Sequence, residues 1–375
     1  MADLVALDLP AGQAFVDGLQ RIWDRGDAVL PLDPRLPRPA VDQLLDRLRP
    51  STVVDRDGSH PRADGIPVRE GDALVVATSG TTGEPKGAVL THSAVRASAL
   101  ASSGRLGVDP ASDRWVACLP LAHIGGLSVV TRALATGTRC TLLEGFDAAE
   151  VEAEARKGAT LVSLVTTALR RTDTTGYRAV LLGGAAPPDQ LPVNVVTTYG
   201  MTETGSGVVY DGVPLDGVEL RIGDGELGAD GEVLVRGPML MRAYRDDTDP
   251  TLPGGWLPTG DAGRLDGQGR LSVDGRIAEV IVTGAEKVWP VAVELVLLRH
   301  PGVAEVAVWK RPDPEWGERV VAWVVPADTD EPPALESLRA AVTEQIAPWA
   351  APKELVVVAA LPRTASGKLH RRGLS

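Results

Sequence analysis

The sequence predicts an α/β protein with two domains, and three observations lead there. Its 375 residues, 44% of them hydrophobic, are enough to bury a large core and to divide into two domains. Short runs at Ala73–Ala77, Leu161–Val165 and Tyr177–Leu182 read as strands, and alanine- and leucine-rich stretches of helical spacing stand elsewhere in the chain. The C-terminal part mixes the two on a smaller scale. Val303–Trp309 and Val320–Val325 are strands separated by a Pro-rich turn with Gly317, Ala334–Ile346 is a helix with Leu335, Leu338 and Val342 on one face, and Glu354–Val358 is a third strand. That is a compact α+β domain.

Bulk properties narrow the partners. A net charge of −12 argues against nucleic acid or an anionic membrane surface, though not against a local basic pocket for phosphates. The two cysteines, Cys118 and Cys140, sit in apolar stretches and cannot form a disulfide framework, which suits a reducing cytoplasm. No basic stretch followed by an apolar run marks a signal peptide, and no apolar segment is long enough for membrane insertion.

In chain order, Phe15, Leu19, Ile22 and Trp23 place a helix over residues 14–23. A proline-rich stretch from Pro31 to Pro37 follows, and Leu44, Leu45 and Leu48 mark a second helix before Pro50. The strand Ala73–Ala77 then runs into Thr78, Ser79, Gly80, Thr81, Thr82, Gly83, Glu84, Pro85, Lys86 and Gly87. Hydroxyls and glycines let backbone N–H groups wrap a polyphosphate, and Lys86 adds a point charge. The string is not a Walker A sequence, because Lys86 follows a proline and precedes a glycine. Composition alone leaves a flexible Gly/Thr surface loop as an equal reading.

Thr91 caps an alanine-rich helix that runs to Ser102. The apolar stretch from Trp115 ends in Leu119, Pro120, Leu121, Ala122 and His123; a lone histidine there reads first as structural. The strand Tyr177–Leu182 ends in Gly183, Gly184 and Ala185, either a tight turn or a close approach of backbone to something bulky. Val195–Thr198 leads to Tyr199, Gly200, Met201, Thr202, Glu203 and Thr204, at the carboxyl end of a strand, where open α/β sheets bind ligands. Thr259, Gly260 and Asp261 follow a further strand end, and Asp274-Gly275-Arg276 favours a tight turn at a domain boundary.

The string from Thr78 to Gly87 resembles the phosphate loop of the adenylate-forming superfamily of acyl-CoA synthetases, peptide-synthetase adenylation domains and luciferases. Four further strings are similar to that family's motifs in order and spacing: Leu119–His123, Tyr199–Thr204, Thr259–Asp261, and Pro362–Lys368. The resemblance implies a large N-terminal domain, residues 1–273, of β-sheets layered with helices and shortened at its N-terminus. A small mobile domain, residues 274–375, would turn about a hinge at Asp274.

The resemblance also implies roles. Thr78 to Gly83 and Lys86 would hold the phosphates of ATP, with Gly183, Gly184, Ala185, Tyr199 and Gly200 around the adenine and acyl group. Thr202 would bond the α-phosphate, Glu203 would hold Mg2+, Asp261 the ribose, and Arg276 would complete the nucleotide site. His123 would touch or gate the carboxylic acid, and Lys368 would be the catalytic lysine. Gly284, Ala285, Glu286 and Lys287 would form a loop on the CoA side. There the chain departs from the family pattern, since Ala285 replaces a glycine and Ala278-Glu279 a more polar pair.

The implied chemistry is activation of a carboxylic acid by ATP and transfer of its acyl group to CoA. The stretch Thr198–Thr204 with Val209–Val218 is similar to the short actinobacterial group of 2-succinylbenzoate–CoA ligases of menaquinone biosynthesis. Another aryl or fatty acid, a carrier-protein phosphopantetheine as acceptor, and a non-catalytic nucleotide-binding module are the alternatives.

Overall fold

The computed structural model describes residues 2–79, 85–188, 190–223, 231–363 and 369–374. Its contacts divide the chain into two units. The first is Met1–Leu220 with Leu234–Pro258 and Gly267–Leu271; the second is Arg221–Val233 with Thr259–Asp266 and Ser272–Ser375.

Two seven-stranded sheets form the first unit. One runs Ala243–Tyr244, Pro85–Thr91, Asp72–Ser79, Ala28–Pro31, Leu4–Leu7, Thr52–Val54, Ser59–Pro61. Its centre is parallel, and the two strands that flank the phosphate-loop string are an antiparallel hairpin with Thr78 opposite Lys86 and Ser79 opposite Pro85. Helices Gln13–Asp24 and Arg38–Leu48 form where the leucine spacing placed them; Leu44, Leu45 and Leu48 pack on Leu30, Val75 and Val89. The second sheet runs Val213–Pro214, Ser206–Tyr210, Val195–Met201, Ala179–Gly183, Leu161–Val165, Arg114–Ala117, Arg139–Leu142. Its central parallel strands Leu161–Val165 and Ala179–Gly183 are mostly apolar and buried, as strands covered on both faces are. Helix His92–Arg105 begins with the expected cap, Thr91 Oγ1 accepting the N–H of Ala94 at 3.1 Å.

In the second unit, the hairpin Val303–Asp313/Gly317–Pro326, the parallel strand Glu354–Val357 and helices Pro290–Leu297 and Leu335–Gln345 enclose a core of Val293, Leu297, Val308, Ala322, Leu338 and Val342. The α+β expectation for this region holds. A tight turn at Asp274-Gly275 does not. Both residues lie inside the strand Leu271–Arg276, held extended by an Arg264–Asp274 ion pair of 2.7 Å. The Asp-Gly turn of this hairpin is instead the earlier one, where residues 267 and 268 turn after Asp266. Asp261 likewise sits inside a strand, Leu257–Leu265, and not after a strand end. Among the described residues no helix is long and apolar enough to cross a membrane.

The first hairpin is anchored at its base. Asp72 is fully buried, accepts the N–H of Arg69, and pairs with Arg242 through two bonds of 3.0 Å. Breaking a buried pair strands a charge. Asp72→Ala is expected to cost about 3 kcal/mol, discounted for the partial exposure of Arg242, and to lower the midpoint of the first transition in urea.

Candidate active site

In the first unit the structure gathers Lys86, Glu203 and one residue that no motif announced, Tyr244. Lys86 stands on the return strand of the hairpin, and its Nζ lies 4.8 Å from the centroid of the Tyr244 ring. The Tyr244 hydroxyl donates to Oε1 of Glu203 at 3.0 Å. Glu203 itself belongs to a single helical turn, Thr202–Thr204, that follows the strand Val195–Met201. That turn is tied back at both ends: Met201 N–H donates to Thr204 Oγ1, and Thr204 Oγ1 donates to the Ser206 carbonyl. Gly200 is required before it, since a Cβ there would lie 2.2 Å from the Ser206 carbonyl oxygen. The half-buried Glu203 carboxylate is a hard-oxygen donor. It fits Mg2+ arriving on nucleotide phosphates, which keeps one or two carboxylates and takes the rest from phosphate and water.

Thr78 keeps its hydroxyl on its own hairpin, 3.5 Å from the Lys86 carbonyl. Gly80, Thr81, Thr82 and Gly83 lie outside the described residues, as does Lys368. Gly183 ends its strand against Thr198, where a Cβ would meet Oγ1 at 2.7 Å; Gly184 turns with φ +89°, and Ala185 follows exposed. Tyr199 is half-buried on the neighbouring strand.

His123 is the N-cap of helix Ile124–Thr136, with Nε2 3.5 Å from Oδ2 of Asp33. Asp33 is buried. Burial pushes its carboxyl up, but the side-chain and backbone hydrogen bonds from Arg35, with the charges of Arg35 and His123, outweigh that and hold it below the usual range. Two turns along the same helix, Arg132 is 2% exposed. Its Nη2 donates to Ser206 Oγ, which bonds Ser128, and its guanidinium lies 5.6 Å from the Trp115 ring. Arg132 Nε and Nη1 have no hydrogen-bond partner among the described residues. Burial pushes both cysteine thiols up to about 12, away from the thiolate form that a nucleophile uses.

The second unit carries Asp261 and Arg276 as a pair, Nε to Oδ1 at 3.0 Å, with Arg276 also donating to the Thr259 carbonyl. Asp261 is buried, and the positive φ of Gly260 kinks the strand just before it.

Two parts of the chain match known families: the AMP-binding enzyme family over residues 61–245 and the AMP-binding enzyme C-terminal domain over residues 292–368. A probable 2-succinylbenzoate–CoA ligase of Mycobacterium tuberculosis is 39% identical, with 98% of this chain and 97% of the relative covered. The chain belongs to the AMP-binding enzyme family. Among solved structures, the o-succinylbenzoate CoA synthetase of Bacillus subtilis in complex with its acyl-adenylate intermediate superposes with a TM-score of 0.86 at 30% identity, covering 99% of this chain and 88% of that one. The same enzyme with ATP and magnesium ion gives 0.85 at 29%, covering 99% and 89%.

The turn in the 284–287 loop gives a physical reason for glycine. Thr283 pairs with Glu286, so Gly284 and Ala285 form a two-residue hairpin turn with φ of +59° and +70°. Such a turn asks for positive φ at both positions. Gly284 has a further need, because a Cβ there would lie 2.5 Å from the Trp316 ring, whereas Ala285 is exposed and only strained. Glu286 and Lys287 point outward on the return strand. Ala285→Gly is expected to leave stability unchanged or raise it by about 0.5 kcal/mol, and Ala285→Val to lower it by about 1–2 kcal/mol, read from thermal unfolding.

Proposed function

We propose that this member of the AMP-binding enzyme family is an AMP-forming acid–CoA ligase whose acid is 2-succinylbenzoate, serving menaquinone biosynthesis in the cytoplasm. The observation that carries the substrate reading is Arg132. A buried guanidinium with two donor nitrogens unpartnered among the described residues is suited to receive an anion. 2-Succinylbenzoate brings two carboxylates, one to be activated and one to be recognised, whereas a fatty or simple aryl acid has only the first. Arg132 lies beside the activating motif, since its partner Ser206 stands opposite Met201 at the hairpin that carries Thr202 and Glu203. The names of the relatives described above support the same reading.

In the first step an oxygen of the acid attacks the α-phosphorus of ATP, and pyrophosphate leaves. Thr78 to Gly83 and Lys86 hold the departing phosphates, Tyr199, Gly200 and the Gly183–Ala185 turn border the adenine, Thr202 bonds the α-phosphate, and Asp261 with Arg276 holds the ribose. Bound through Glu203, Mg2+ supplies charge neutralisation on the phosphates. Lys368 neutralises charge growing between the carboxylate and the α-phosphate. In the second step the CoA thiol attacks the acyl carbon, loses its proton, and AMP leaves. Between the steps the C-terminal region would turn about a hinge at Asp274, so that the Gly284–Lys287 loop takes the place of Lys368.

CoA- and ATP-dependent AMP release with a panel of acids tests the substrate. Turnover of 2-succinylbenzoate over benzoic and medium-chain acids is expected; turnover of another acid alone would keep the ligase chemistry and discard the pathway. Arg132→Met should raise KM for 2-succinylbenzoate at least about thirtyfold while sparing ATP affinity, because a charged hydrogen-bonded contact is lost. Lys368→Ala should lower adenylation on the order of 100-fold or more. It should leave thioester formation from supplied acyl-adenylate largely intact.

A further inference from the structure

We propose that Tyr244 is a positioning residue for magnesium-dependent nucleotide binding, its hydroxyl aiming the Glu203 carboxylate and its ring face seating the Lys86 ammonium. This rests on the reading of Glu203 and Lys86 as nucleotide-site residues, and it goes beyond that reading by assigning a role to a side chain outside the strings quoted above.

The argument begins with two opposite charges that serve the same ligand. A carboxylate that is to hold Mg2+ must keep lone pairs exposed, and an ammonium that is to hold phosphate must keep its protons exposed. Placed in direct contact, the two would neutralise each other, and an incoming Mg2+–nucleotide would have to break the pair. Tyr244 satisfies each without joining them. Its O–H donates to Oε1 of Glu203 at 3.0 Å and leaves the other carboxylate oxygen for the metal. Its ring presents a negative face to Lys86, whose Nζ lies 4.8 Å from the centroid. Donation toward a carboxylate draws electron density onto the phenol ring, so each contact strengthens the other.

The tyrosine can do this because its backbone is fixed on every side. Tyr244 pairs with Ala88, two residues from Lys86, and its N–H donates to Thr248 while its carbonyl accepts from Asp247. One residue on, the Arg245 N–H donates to the Gly87 carbonyl at 2.7 Å; three residues back, the Met241 N–H donates to the Glu203 carbonyl at 2.8 Å. The ring is therefore placed by main-chain bonds to the two elements whose side chains it addresses. Lys86 is a flexible four-carbon stem, and a seat beside the phosphate hairpin restricts it without consuming its charge.

The test uses the full-length protein and ATP alone, with no acid or thiol, so that it stands apart from the substrate reading. Equilibrium dialysis measures ATP binding in excess Mg2+ and in EDTA. Tyr244→Phe is expected to leave binding in EDTA within twofold of wild type and to cut the Mg2+-dependent gain by about tenfold. Glu203→Gln, which removes the carboxylate itself, is expected to lose at least as much, and the double variant to lose no more than Glu203→Gln alone, the mark of a shared interaction. Tyr244→Leu, which removes the ring as well, should also weaken binding in EDTA by about threefold. It decides the matter if the Phe variant loses its cooperative melting transition. A wild-type Mg2+ gain in Tyr244→Phe, independent effects of the Tyr244 and Glu203 substitutions, unchanged EDTA binding in Tyr244→Leu, or a wild-type chain that binds no ATP would each overturn the proposal.

Discussion

Met241 to Arg245 is a short segment with an unusual share of the main-chain bonding around the candidate site. Its N–H groups reach Glu203, Val89 and Gly87, and its strand residues Ala243 and Tyr244 close the edge of the first sheet on the hairpin that carries Lys86. Through it the return strand of the phosphate hairpin and the Thr202–Thr204 turn, which belong to different sheets, are fixed by hydrogen bonds to the same five residues. A site that must orient a polyphosphate needs its cation and its carboxylate held to a fraction of an ångström, and strands hold side chains better than loops do. The segment's own anchor is the Asp72–Arg242 pair, with Arg245 adding hydrogen bonds to the carbonyls of Leu48, Ile66 and Pro67. Burial pulls the Arg245 guanidinium below its ordinary range, so its three carbonyl partners do the work that water would otherwise do.

What the sequence made legible follows from how far apart the interacting residues are. Leu161–Val165 is a strand with the bounds its apolar run suggested, because a strand covered on both faces has no polar side to confuse the pattern. Helix His92–Arg105 was legible from a local cap. Pro85–Thr91 was not read as a strand, since it opens on Pro-Lys-Gly, residues that discourage strands; the antiparallel partner Asp72–Ser79 supplies what propensity withholds. Asp274-Gly275 has turn chemistry, yet a sheet ladder and the Arg264 ion pair keep it extended. The site divides the same way. Contiguous strings announced Glu203, Asp261 and Lys86, whereas Tyr244 meets Glu203 across 41 positions and Arg132 meets Ser206 across 74, distances at which no local pattern exists.

The 284–287 loop separates two reasons for a glycine, backbone conformation and close contact. Both turn residues adopt positive φ, but only the first is pressed against a neighbour, the Trp316 ring, over which Lys353 also stands at 4.0 Å. Adding a Cβ at the first position would force the tryptophan aside; adding one at the second costs only backbone strain of about 1 kcal/mol. The alanine is therefore found at the second position and the glycine is kept at the first.

Arg132 makes the complementary point about specificity. Burying a guanidinium with two donor nitrogens unpartnered lowers stability, and an apolar residue on that helix face would pack at no such cost. Its neighbours Ser128 and Ser206 bond one nitrogen and each other, which orients the plane of the cation without neutralising it. A group that is expensive to bury and is left charged gains its compensation when an anion arrives. The strings shared across the AMP-binding enzyme family record the activation chemistry. On the substrate reading proposed above, the choice of acid would rest instead on single residues such as this one, where lower stability is exchanged for recognition of a second negative charge on the ligand.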